Sequence, residues 1–234
     1  MGAPWNELKP VFEWLVENSS FLFEPRATLI ATFICAWLAF KYQSVLEDRK
    51  ELDARVDAGN RVLFQLAGNI SWLANTKRQL IDPFRERPGR MFEMLPDLSP
   101  VPVGVLDFHS LSFLLRKKNA DVLGKVLIEA RSFQMAVSLQ ERRSSFYLSD
   151  INPRLERAGI QHDQDVFEAQ MRAAVGDISW YMFESITNHY VEQVDSALES
   201  HLKLIPELRA ALVSAIPKGK FIDISLDSAG HVGK

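Results

Sequence analysis

Ala27–Phe40, ATLIATFICAWLAF, is an almost wholly apolar run without a charged residue, and Arg26 and Lys41 bracket it. These fourteen residues make only roughly 21 Å of helix at ~1.5 Å each, short of a hydrocarbon core of about 30 Å. By length alone such a run also suits a buried core helix or an interfacial segment. Its flanks favour spanning. Pro25 suits a first helical turn. Lys41 has a stem long enough to snorkel, and Tyr42–Leu46 beyond it carries no charge. Trp37 and Tyr42 are rings of the kind that settle at a lipid–water boundary. A cleaved signal peptide fits poorly, because the lead-in is acidic and no small-x-small site follows. The reading is therefore a single transmembrane helix over 25–46. Lys9 and Arg26 precede it, whereas Lys41, Arg49, Lys50, Arg55 and Arg61 follow it. That excess predicts a cytoplasmic C-terminal part, with the first residues on the other side of an inner (plasma) membrane.

The stretch after the anchor decides the rest of the fold. Tyr42, Val45, Arg49, Leu52, Val56, Gly59, Leu63, Leu66, Ile70, Leu73, Lys77 and Leu80 alternate spacings of three and four. This is a heptad-type stripe, broken by Arg49, Gly59 and Lys77. It predicts a long helix over 47–82 that ends at Asp82-Pro83, since a proline disfavours helix in the residue before it. Gly59 and Gly68 weaken that helix by up to about 1 kcal/mol each relative to Ala and mark a possible bend. The stripe suits a coiled coil with a second copy or burial against later helices of the same chain. Because three later helices also need burial, the intramolecular bundle is preferred.

Before the anchor, residues 1–24 place Leu8, Val11, Phe12 and Leu15 on one helical face, an amphipathic lead-in. Beyond Pro83, a Pro/Arg-rich connector covers 83–106. A bundle domain follows over 107–216, with a short helix Leu111–Lys117 and a longer one from near Asp121 to Ile151. Asn152-Pro153 kinks or ends the latter, and Gly159 closes Arg154–Ala158 as glycines close helices. A last long helix begins near Asp165 or Asp177, and Pro206 opens a separate final turn, Glu207–Ile216. Over 217–234, Ile222, Ile224 and Leu226 alternate like one short strand ahead of a tail. The fold class is all-α: an N-terminal transmembrane helix running into a long helix, then an antiparallel helical bundle.

Composition narrows function by exclusion. A net charge of −3 over 234 residues provides no global basic field for nucleic acid. The one cysteine, Cys35, lies in the apolar run, so no disulfide forms within the chain. Five scattered histidines offer no metal-ligand spacing; His189 with Glu192 is one helical face but too few ligands. His162, Asp163 and Asp165 read as a solvated helix start, and His201, on an apolar stripe, as a core histidine. No nucleophile elbow or phosphate loop occurs, so no catalytic residue, cofactor, metal or small-molecule substrate is expected.

The most individual segment is Lys77–Phe92, where Lys77, Arg78, Arg85, Arg87 and Arg90 face only Asp82 and Glu86, a local net of +3. Guanidinium forks match carboxylate and phosphate oxygens, which makes these five the candidate anion- or partner-binding residues. The plainer expectation is that they cap helices and pair with neighbouring carboxylates. Taken together, the sequence predicts a non-enzymatic, membrane-tethered helical interaction or scaffold protein. Its partners would be membrane lipid and either another protein or a second copy. The alternative is a sensor of an anionic ligand or lipid headgroup through Arg85, Arg87 and Arg90.

Overall fold

The computed structural model describes residues 13, 17, 25–87, 89–97, 101, 108–116, 119–160 and 168–224. All but Glu13 and Glu17 of the lead-in over 1–24 lies outside these, as do 88, 98–100 and 102–106 of the connector 83–106, the His162–Asp165 cluster and the tail from 225. The described chain is all-α, with no strand among the described residues. Two compact units divide it, Met1–Asp53 and Ala54–Lys234. Helix α1, Pro25–Thr76, contributes to both and widens into a π turn over Lys77–Ile81. A short α2, Arg90–Glu93, a 3-10 helix, His109–Arg116, and α3, Ala120–Phe146, follow. The end of α3 also widens into a π turn, Tyr147–Ile151, and runs into α4, Asn152–Arg157. Helix α5, Glu168–Val175, and the long α6, Asp177–Ala215, complete the order.

In the first unit, the helix has an apolar surface that protein does not cover. Leu29 and Phe33 are each 73% exposed and Phe40 72%. The helical stretch Pro25–Asp53 is about 43 Å long at ~1.5 Å per residue, so the helix exceeds a bilayer core that the uncharged run alone does not reach. It is the one helix among the described residues long and apolar enough to cross a membrane, with a mean hydropathy of 1.5 in its most apolar window.

In the second unit the stripe of α1 is consumed internally. Leu63, Leu66, Ile70 and Leu73 are buried, against α3 and α6. Pairs between α3 and α6 run in opposite order: Lys125 with Glu207, Ser132 with Gln193, Arg143 with Thr187. The two helices are therefore antiparallel. Lys77, just past α1, pairs with Asp195, and Gly59 lies against Leu212, which gives the same opposite sense to α1 and α6. Three clusters stack along this bundle. The first joins Leu63 and Leu66 to Leu111, Leu208 and Leu212; the middle one holds Leu73, Phe133 and Val194; the last packs Phe92, Tyr147, Trp180 and Phe183.

Gly59 is not an empty position in the stripe. A Cβ there would stand 2.9 Å from both Leu212 Cδ2 and Phe221 Cε1, so the missing side chain is what lets these two groups sit on the helix. Prolines explain where helices change. Each π turn is followed at once by an X-Pro pair, Asp82-Pro83 and Asn152-Pro153, whose ring would collide with a carbonyl four residues back in an unbroken α-helix. Gly159 at φ 73° closes α4 as predicted, with Ile160 N–H on Leu155 O at 3.0 Å. Gly176, at φ 86° and ψ 148°, holds a conformation reserved to glycine and separates α5 from α6.

Two expectations are corrected. Pro206 starts no new helix: α6 runs through it unbroken from Asp177 to Ala215. The proline is exposed while Leu204, Ile205 and Leu208 around it are buried, so packing on both sides outweighs one missing hydrogen bond. Ile222 and Ile224 form no strand, and Leu226 lies outside the described residues. A strand requires a neighbouring edge; here the Asn60 side chain, with Ile222 N–H on its Oδ1 at 2.9 Å, takes the place of one.

Candidate functional site

The π turn at the end of α1 and the turn after it carry the cations singled out from the sequence. Lys77 Nζ lies 2.7 Å from Asp195 and 3.1 Å from Asp82. Arg85 reaches the same two carboxylates, donating from Nη1 to Asp195 Oδ2 at 2.8 Å and from Nη2 to Asp82 Oδ1 at 3.1 Å. Two cations and two anions thus close a charge-neutral square that fastens the turn to α6. The hydrogen bond to Asp195 raises the Arg85 pKa, partly against its own burial. Burial pushes the Asp195 carboxyl up, but Arg85 and Lys77 hold it below the ordinary carboxylate range.

The remaining three differ. Arg87 pairs with Glu93 at 2.9 Å and lies 5.4 Å over the Phe84 ring. Arg78 donates to Asn75 Oδ1 at 2.9 Å, within α1. Arg90 donates to Arg85 O at 3.0 Å and to Asn188 Oδ1 at 2.7 Å, and to no carboxylate among the described residues. Arg85, Arg87 and Arg90 share a cleft of about 400 Å³ with Glu86, Glu168, Glu184, Trp180 and Asn188. Three guanidinium groups against three carboxylates make this lining mixed in sign. Glu86 belongs to the turn itself, whereas Glu168 and Glu184 come from α5 and α6, and charge density in one segment of sequence says nothing about those two.

Beneath the turn lies a residue that sequence reading passed over. Arg143 on α3 is 2% exposed. Its guanidinium donates to Thr187 Oγ1 at 3.2 Å, to Met91 O at 2.7 Å and to Met94 O, and it stacks 5.2 Å from the Phe183 ring. Among the described residues no carboxylate pairs with it. Burial lowers its pKa to about 10, so it remains a cation at neutral pH. Backbone carbonyls and a ring quadrupole replace its lost hydration. Arg143 therefore reads as the clamp that holds α2 to the bundle. One signal existed in the sequence, an arginine on the buried face of α3, but adjacent Arg142 concealed which of the two turned inward.

His201 is the core histidine expected. It is fully buried, with Nδ1 2.7 Å from Ala197 O and 3.1 Å from Glu129 Oε2, which also accepts from Ser200 Oγ at 2.5 Å. Burial lowers its pKa, with Ala197 O and Glu129 pulling weakly the other way. With Nδ1–H donated to Ala197, Nε2 is an unprotonated nitrogen without a partner among the described residues. Among the described residues no group of three or more His, Cys, Asp or Glu side chains converges as a metal site. Compared with family models, with curated proteins and with solved structures, the chain has no match.

Proposed function

We propose that this chain is a membrane-tethered helical interaction module, crossing an inner (plasma) membrane once near its N-terminus and holding the α1–α6 bundle on the cytoplasmic side. One observation carries the reading: Leu29, Phe33 and Phe40 are more than 70% exposed on a helix long and apolar enough to span. Exposing several large apolar side chains in series to water costs about 1.5–3 kcal/mol each relative to burial, which lipid removes. Lys41 Nζ stands 6.0 Å over the Trp37 ring, an amphipathic pair suited to the headgroup zone. Orientation rests on the excess of Lys and Arg after the apolar run. The function itself is tethering. Confinement to a surface raises the effective concentration of the bundle toward membrane partners without any catalytic group. The anion-sensing alternative rests on Arg90, the half-buried guanidinium in the cleft with no carboxylate partner among the described residues, and is weakened by Glu168 and Glu184 beside it.

Fractionation tests the tether. The full chain is expected in the membrane pellet after a sodium carbonate wash and in solution only after detergent. Release by carbonate, or recovery in plain buffer, would refute it.

A further inference from the structure

Past the end of α6 the described residues 216–224 form no helix and no strand, yet residues 219–223 are held at defined points. Asn60 on α1 does most of the holding. Its Nδ2 donates to Lys220 O at 3.2 Å and its Oδ1 accepts from Ile222 N–H at 2.9 Å. One side-chain amide thus engages the carbonyl and the N–H on either side of Phe221, as one residue of a neighbouring strand would. Both bonds require the same orientation of the amide, so the assignment is unambiguous. The Phe221 ring lies where Gly59 has no side chain, 2.9 Å from the position a Cβ would take, with Leu212 closing the other side. Arg209 Nε donates to Ile222 O at 3.3 Å, and Arg209 Nη2 stands 3.5 Å from Asp223.

We propose that this notch, Gly59 and Asn60 on α1 with Arg209 and Leu212 on α6, is a docking groove for an extended peptide segment. The segment it fits has an aromatic residue followed two positions later by a carboxylate, and the chain's own residues 219–223 occupy the groove in cis. The recognition has the division of labour found in strand addition: main-chain hydrogen bonds supply affinity whatever the sequence, and side-chain slots supply specificity. Here the slot is for an aromatic ring and the charge reader is Arg209. The occupant is exchangeable because its polar fastenings are few and face solvent. Asp223 is 82% exposed at its side chain, and an ion pair so placed contributes little. Packing of Phe221 and Ile224 against the first core cluster adds to these bonds, and the covalent connection makes the segment a competitor at high effective concentration. A partner carrying the same pattern enters when that connection is outcompeted. This groove is independent of whether the 27–40 helix enters lipid.

The test uses the full chain in detergent and a labelled peptide of residues 217–224, PKGKFIDI, read by fluorescence anisotropy. Phe221→Ala empties the slot in cis and is expected to bind the peptide at least ~10-fold more tightly than the unsubstituted chain, by relief of intramolecular competition. Adding Asn60→Ala should abolish that gain, and a peptide with Ala for Phe should not bind. No binding to Phe221→Ala, or equal binding to all three proteins, would overturn the proposal. Circular dichroism establishes that the variants keep their helices. Should Phe221→Ala lose them, hydrogen exchange on the unsubstituted chain decides. Amides of 220–224 exchanging roughly 100-fold faster than those of 205–212 support an exchangeable segment, and equal protection refutes it. A concentration-dependent dimer that Phe221→Ala abolishes would replace the peptide partner by a second copy.

Discussion

His201 shows how one side chain sets a pH limit for the fold. It is fully buried, and its pKa lies below the 6.5 of a free histidine because burial opposes the charged ring. An unfolded chain therefore binds a proton near pH 6.5 that the folded chain refuses. The stability tied to this neutral ring is complete above pH 6.5 and is lost as pH falls toward the lower folded value, by at most ~1.4 kcal/mol per pH unit. Asp195 and Asp150, also held low, act in a separate window, since an unperturbed carboxylate titrates near 3.8. The midpoint of thermal unfolding should thus drop between pH 7 and 5 in the parent chain. In His201→Gln it should stay level over that interval, as followed by circular dichroism. Equal slopes would mean that the ring is not the group responsible.

At the scale of elements, short pieces are held by long ones. Helix α2 has four residues and no stability of its own; Arg143 on α3 fixes it through the carbonyls of Met91 and Met94. Replacing Arg143 by Met removes a costly buried charge but strands two carbonyls and Thr187, each worth about 1–3 kcal/mol when buried without a donor. The net expectation for Arg143→Met is a loss of roughly 2–4 kcal/mol, with the fluorescence of Trp180 and the exchange of 89–97 changing before α3 and α6 melt. Urea unfolding and hydrogen exchange check this; an unchanged midpoint would refute the clamp. Arg85 and Lys77 work similarly on the preceding turn, but at the surface, where the same geometry stabilises less.

For the whole molecule, the three core clusters draw only on residues from Val62 onward. A chain starting at Ala54 is therefore expected to fold cooperatively in detergent-free buffer, with the helix content of the bundle retained. Circular dichroism and light scattering measure this. Aggregation, or a molten state lacking a sharp transition, would show that the first unit is needed for the second to fold. Such a result would leave the carbonate experiment on the full chain unaffected.

Much of this architecture is written locally. The apolar run 27–40, the three-four spacing from Leu63 to Leu73 and the breaks at Asp82-Pro83, Gly159 and Gly176 all act through the chain's own geometry, within one or two helical turns. They determined an all-α chain with one long apolar helix and the ends of most elements. What they did not determine depends on groups far apart in sequence. Whether Lys77 and Arg85 are free cations was decided by Asp195, more than a hundred positions away. Pro206 breaks nothing because flanking leucines are buried, and Gly59 is a seat for Phe221 rather than a flaw in a heptad. Local propensity costs about 1 kcal/mol at a helical glycine and about 3 kcal/mol at a helical proline, and burial and charge pairing between distant segments can outweigh it. Where the two disagreed, tertiary packing made the decision.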